Sequence, residues 1–162
     1  MSIPEYDSNE SEFPKSSRES RLECALAWAA GFIDGEGCIH IAKQRYRGER
    51  SDTYRLGVYV TQNDKSVLEH LREVVGIDAP IFAVKRARNH KRQCYTLNFS
   101  GKGAQQLLSL LEVFFRRKRA EASAALAFCT EGLVGKRFGR KAVPPDIVAT
   151  REHYFRLLKQ LK

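Results

Sequence analysis

The stretch Trp28-Ala29-Ala30-Gly31-Phe32-Ile33-Asp34-Gly35-Glu36-Gly37 sets two carboxylates one glycine apart, directly after a run of small residues. Leu22, Leu26, Ala29, Ala30 and Ile33 recur at helical spacing, so the acids sit where a helix ends. The last carbonyls of a helix lack partners within it, and an adjacent acid turns that spot into an oxygen cluster suited to a hard cation such as Mg2+. The same residues also serve a plainer purpose, a helix stop with two solvent-facing acids, for which the two glycines supply the backbone angles. Spacing alone leaves both readings open.

The remaining candidates for chemistry are dispersed. Cys24, Cys38, Cys94 and Cys129 form no CxxC pair, and no histidine stands at zinc-ligand spacing from them, so they read as reduced thiols. Basic side chains, by contrast, are concentrated. Lys85, Arg86, Arg88, Lys91 and Arg92 fall in one acid-free stretch, and residues 116–119 read Arg-Arg-Lys-Arg. The chain of 162 residues carries +9, but residues 1–23 carry −3, which leaves +12 on the rest. A compact body with that surplus favours a polyanion as partner, nucleic acid first. An acidic membrane surface, or solubility alone, is the competing explanation. There is no apolar run of about 18 residues, so a membrane span is excluded. Neither a basic start nor an apolar core opens the chain, so no secretory leader is expected and an intracellular location follows.

The elements that must position these residues follow from periodicity. Residues 1–20 are polar, contain Pro4 and Pro14, and read as a flexible acidic tail. After the first helix, Ile39 and Ile41 alternate within Cys38–Tyr46, and Tyr54, Leu56, Val58 and Val60 alternate within Thr53–Thr61, so both stretches are strands. Asn63-Asp64 caps a helix whose core face is Val67, Leu68, Leu71, Val74 and Val75. Ile81–Ala87 and Gln93–Phe99 form a second strand pair, the former with Phe82 and Val84 on one face and Lys85 and Ala87 on the other. Three helices close the chain, the last beginning at Pro144-Pro145-Asp146. The order predicts an α+β fold, one four-stranded antiparallel sheet with helices on one face. Its open face would carry His40, Ala42, Gln44 and Tyr46, then Thr53, Arg55, Gly57 and Tyr59, then Lys85, Ala87, Cys94, Thr96 and Asn98. A polar, basic sheet face of this kind suits a DNA groove.

The stretch from Trp28 to Gly37 resembles the LAGLIDADG motif of homing endonucleases, and the helix–strand–strand–helix–strand–strand–helices order over roughly 22–160 is similar to that family's domain plan. The resemblance implies the α-β-β-α-β-β-α-α fold with a curved sheet, over an endonuclease domain at 21–162. A single motif copy implies a homodimer, with Ala29, Ala30, Gly31 and Ile33 at the seam between two motif helices. It assigns Glu36, with the Gly35 carbonyl, to a catalytic Mg2+, a place open equally to Mn2+ or Ca2+. Asp34 would support the motif turn, Gln62 would order water, and Lys118 would be the active-site lysine. The family's extra basic position beyond the second strand falls here on Ser66, with Lys65 beside it. DNA contacts are expected from His40, Gln44, Tyr46, Thr53, Arg55, Tyr59, Lys85, Arg86, Arg88 and Thr96, and phosphate contacts also from Lys91, Arg92, Lys136, Arg137, Arg140 and Lys141. The implied activity is cleavage of both DNA strands at a long, nearly palindromic site in intron homing. Relatives that act as intron RNA maturases, or bind DNA without cutting, supply the alternative.

Overall fold

The computed structural model describes residues 17–45, 52–85, 92–136, 138 and 142–162. Helix α1 (Ser17–Glu36) leads into strand β1 (Gly37–Gln44), and β2 (Thr53–Gln62) follows. Then come α2 (Lys65–Val75), β3 (Ile81–Ala83), β4 (Tyr95–Ser100), α3 (Lys102–Leu111), a 3-10 turn at Glu112–Phe114, α4 (Arg119–Glu131) and α5 (Pro145–Gln160). The expected α+β order is observed. Helix α1 starts at Ser17, inside the stretch expected to be tail. No helix among the described residues is long and apolar enough to cross a membrane.

The sheet is antiparallel, in the order β1-β2-β4-β3. Ile39, Ile41, Leu56, Val58, Val60, Leu97 and Phe99 are buried on the face that the helices cover. Leu68 and Leu71 of α2, Leu107, Leu108 and Leu111 of α3, and Ala122, Ala125 and Phe128 of α4 complete that core. Helix α2 is bounded as its sequence demands: the Asp64 carboxylate accepts the Ser66 N–H at 2.9 Å, and Gly76 closes it with φ of 63°.

Two devices fix the parts that matter for function. At the α1–β1 junction, a Cβ on Gly37 would lie 2.7 Å from the Ile33 carbonyl oxygen, so only glycine lets the helix end turn straight into the strand. At the far end of the β1–β2 pair, Glu152 of α5 accepts from Lys43 Nζ at 2.7 Å, Tyr54 OH at 2.6 Å and Arg156 Nε at 2.9 Å. Lys43 also pairs with Asp52 at 3.2 Å. The Lys43 partnership, helped by Tyr54, pulls the Glu152 carboxyl down to about 2. This carboxylate straps α5 across both strands.

The edge strand departs from expectation. It is three residues long, and its register pairs Ile81 with Leu97, Phe82 with Thr96 and Ala83 with Tyr95. Paired residues share a face, and Leu97 is buried, so Phe82 lies on the open face. Val84 keeps the same parity, its N–H bonded to the Cys94 carbonyl at 2.9 Å. Lys85 is exposed, but it lies beyond the strand on the opposite parity, so the expected side is inverted.

Candidate functional site at the end of the first helix

Asp34 is 9% exposed and works as a bracket. Its carboxylate accepts the backbone N–H groups of Arg116, Arg117 and Lys118 at 2.8, 3.1 and 2.9 Å. Burial alone would raise its pKa; the N–H donors of Arg116, Lys118 and Arg117, with the Lys118 charge, outweigh burial and hold the carboxyl below its ordinary range. The bracket ties the start of α4 to the end of α1, across more than eighty residues of chain. Asp34 is structural, as expected, but its carboxylate braces the start of α4 rather than the motif turn.

Lys118 completes the junction. It is 2% exposed, and its Nζ donates to the Asp34 carbonyl at 2.5 Å. That oxygen is among the last of α1, where carbonyls lack helical partners and the helix end is electronegative. Desolvation and the neighbouring Arg117 charge lower the Lys118 pKa, partly offset by Glu121 and Asp34. The fold thus brings Lys118 beside the motif, within two residues of Glu36. Gln62 is the last residue of β2; Val60 pairs with Gly37, so Gln62 stands at the sheet end where α1 enters. Lys65, on the first turn of α2, is committed to Glu69 at 2.8 Å.

Glu36 differs from its surroundings. It is exposed, and its side chain makes no hydrogen bond or ion pair with any described residue. Gly35 is exposed beside it, and space is open where a Cβ would stand. One free carboxylate and a helix-terminal carbonyl do not make a cage, and among the described residues no group of three His, Cys, Asp or Glu converges. That donor set fits Mg2+, which keeps waters and takes one or two carboxylates together with substrate phosphates.

The seam residues need correction. Ala29, Ala30 and Ile33 are all 0% exposed, because the chain's own sheet and helices cover them. They belong to the core. Gly31 remains exposed, as do Ala27 and Gly35 at intervals of four along the same helix face. That second stripe, not the first, is free to meet another helix.

On the open sheet face, Gln44, Thr53, Arg55 and Tyr59 are exposed as expected. Thr96 is half-buried, its hydroxyl 2.7 Å from that of Thr61. His40 is less available than expected. Its ring lies over Gly57, where a Cβ would come within 2.4 Å, and meets the Tyr59 ring edge-on at 5.2 Å. Its Nδ1 is buried without a hydrogen-bond partner among the described residues, and burial together with the Lys162 charge lowers its pKa. Arg92 and Lys136 are exposed. Tyr46, Arg86, Arg88, Lys91, Arg137, Arg140 and Lys141 lie outside the described residues. The cysteines are free thiols.

A model of the family described as LAGLIDADG endonuclease matches residues 29–121. No curated protein matches the chain. Among solved structures, the chain is similar to the archaeal intron-encoded homing endonuclease I-Vdi141I complexed with DNA, at TM-score 0.66 and 16% identity over 90% of this chain and 86% of that one. The homing endonuclease I-CvuI, in complex with the I-CreI target, aligns at TM-score 0.58 and 20% identity over 86% of this chain and 97% of that one. The LAGLIDADG homing endonuclease I-GzeII, in complex with its DNA target, aligns at TM-score 0.60 and 14% identity, over 83% of this chain but 43% of that one. At these identities the likeness establishes the fold.

Proposed function

The chain belongs to the LAGLIDADG endonuclease family, and from that premise we propose that it cuts both strands of DNA at a long, nearly palindromic site, as an Mg2+-dependent homodimer serving intron homing. The observation that carries this reading is the Glu36 carboxylate, without a partner among the described residues, set beside Lys118 and Gln62 where α1 meets the open sheet face that carries Gln44, Arg55 and Tyr59. The relatives solved with DNA, and with Mg or Ca present, support its DNA-binding and divalent-cation parts; the complex with Mg holds uncleaved DNA.

Each part then has a task. Arg55, Gln44 and Tyr59 reach base edges in the major groove, where Arg and Gln make paired hydrogen bonds worth about 1–3 kcal/mol of discrimination each. Exposed bases outside the sheet, such as Arg92, Arg116 and Lys136, hold phosphates and set register without reading sequence. Glu36 and the Gly35 carbonyl would hold the divalent cation, Mg2+ or in the same place Mn2+ or Ca2+. Bound there, it would supply charge neutralisation at the phosphoryl oxygens and a water of lowered pKa. Gln62 hydrogen-bonds and orients water at the sheet end. Lys118, held rigidly by the Asp34 carbonyl, contributes fixed positive charge beside developing negative charge. A second copy docks along Ala27, Gly31 and Gly35, which places the two Glu36 carboxylates on facing strands of the duplex. The protein works inside the cell, at DNA. A maturase or a pure DNA binder has no use for a free carboxylate at this point.

The test is selection from a randomised duplex library with Mg2+, with Ca2+ as the non-cleaving control. The expected product is a family of cut sites with two-fold related halves. Recovery of uncut, sequence-independent complexes in both metals would refute the reading.

A further inference from the structure

We infer that Phe82, with Val84 beside it, reads the 5-methyl group of a pyrimidine, making the protein selective for thymine over unmethylated cytosine at one position in each half-site. The inference rests on the proposal that the open sheet face lies in a DNA major groove.

Phe82 is 54% exposed and Val84 is 41% exposed, which sets them apart on that face. The other exposed members described on it are Gln44, Thr53, Arg55, Tyr59 and Ser100, each with a polar group, and Ala42. Edge strands usually carry charges on the solvent side, so two large apolar groups there call for a partner. Their position is fixed rather than accidental. Phe82 pairs with Thr96, whose hydroxyl is bonded to Thr61, so the ring stands in line with the central strand's open face. Beyond it, the Val84 N–H donates to the Cys94 carbonyl, and the Gln93 side-chain amide donates to the Val84 and Cys94 carbonyls at 2.8 Å each. The backbone beneath both side chains is therefore held from two sides.

Charge decides the occupant. The chain outside its first 23 residues carries +12, and the exposed Arg92 stands two residues before Cys94, whose carbonyl accepts the Val84 N–H, so a duplex approaches this edge more readily than a second basic copy does. In a major groove the apolar feature that a base pair presents is the C5-methyl of thymine. 5-Methylcytosine presents the same group at the same atom. Phe82 would therefore respond to cytosine methylation, favouring the methylated base where the unmethylated one is disfavoured.

The experiment uses the full chain and the duplex recovered by site selection. Each thymine is replaced in turn by deoxyuridine, which removes only the methyl group, and affinity is measured for the native protein and for Phe82→Ala and Phe82→Leu. One thymine in each half-site should lose about three- to fivefold in affinity on demethylation, the scale of one buried methyl group. Phe82→Ala should abolish that loss, Phe82→Leu should keep most of it, and 5-methylcytosine at the same position should bind better than cytosine. Equal responses of the native protein and Phe82→Ala at every thymine would overturn the inference while leaving the nuclease reading intact. A changed oligomeric state in Phe82→Ala with an unchanged methyl response would assign the pair to protein contact and overturn it too. Failure to recover any duplex would remove the nuclease reading itself, and this inference with it.

Discussion

Replacing Asp34 with asparagine should damage stability far more than a single surface change. The carboxylate accepts three backbone N–H groups at 2.8, 3.1 and 2.9 Å. The Arg116 and Arg117 donors share one oxygen, and the Lys118 donor has the other. An asparagine turned to keep the shared oxygen presents its NH2 to the Lys118 N–H. One charge-assisted hydrogen bond is lost, at about 1.5–3 kcal/mol, and two are weakened to neutral strength. The sum is about 3–4 kcal/mol, and for a chain near this size each kcal/mol shifts Tm by about 2–4 °C. A fall of about 10 °C in thermal unfolding is expected. The pH dependence has a definite sign. The folded carboxyl pKa is lowered, so its contribution is complete above the unfolded carboxyl pKa and fades as pH falls through the folded value. Asp34→Asn should therefore narrow its deficit in acid. A Tm within about 2 °C of the native protein at neutral pH would refute the bracket.

Three further outcomes follow from the same geometry. Lys118→Met should cut single-turnover cleavage by about a hundredfold or more while changing duplex affinity less than threefold, since a buried fixed charge is removed and no phosphate contact is lost. Glu152→Gln should cost about 1–2 kcal/mol in urea unfolding at neutral pH. Its carboxyl sits at about 2 against an ordinary 4.5, so the difference from native should shrink between about pH 4.5 and pH 2. Gly31→Arg meets open space within the protomer, so it should fold normally yet sediment as an 18.5 kDa monomer without activity.

How far the sequence could lead depended on how local each feature was. The α1–β1 junction is read from adjacent residues, and the structure has the helix end, the glycine turn and the strand where the pattern places them. The strand alternation in 39–41 and 54–60 is equally local and equally clear. Helix α1 is small and apolar on more than one face, so periodicity alone could not separate the core stripe of Ala29, Ala30 and Ile33 from the exposed stripe of Ala27, Gly31 and Gly35. For β3, Ile81-Phe82-Ala83-Val84 is apolar throughout, and alternation has no polar phase to lock onto; the register against Leu97 decides it. The Lys43–Glu152 strap and the Asp34 bracket join residues 109 and more than eighty positions apart, and no spacing rule reaches that far.

The most direct measurement concerns Glu36→Gln on a selected duplex with Mg2+, with cleavage and binding followed in the same samples. Cleavage should disappear while affinity stays within about threefold of native, because the Glu36 side chain bonds to no described residue and the role proposed for it is to hold the cation. Native-like cleavage by Glu36→Gln, or loss of folding without cleavage ever being separable from binding, would contradict the account.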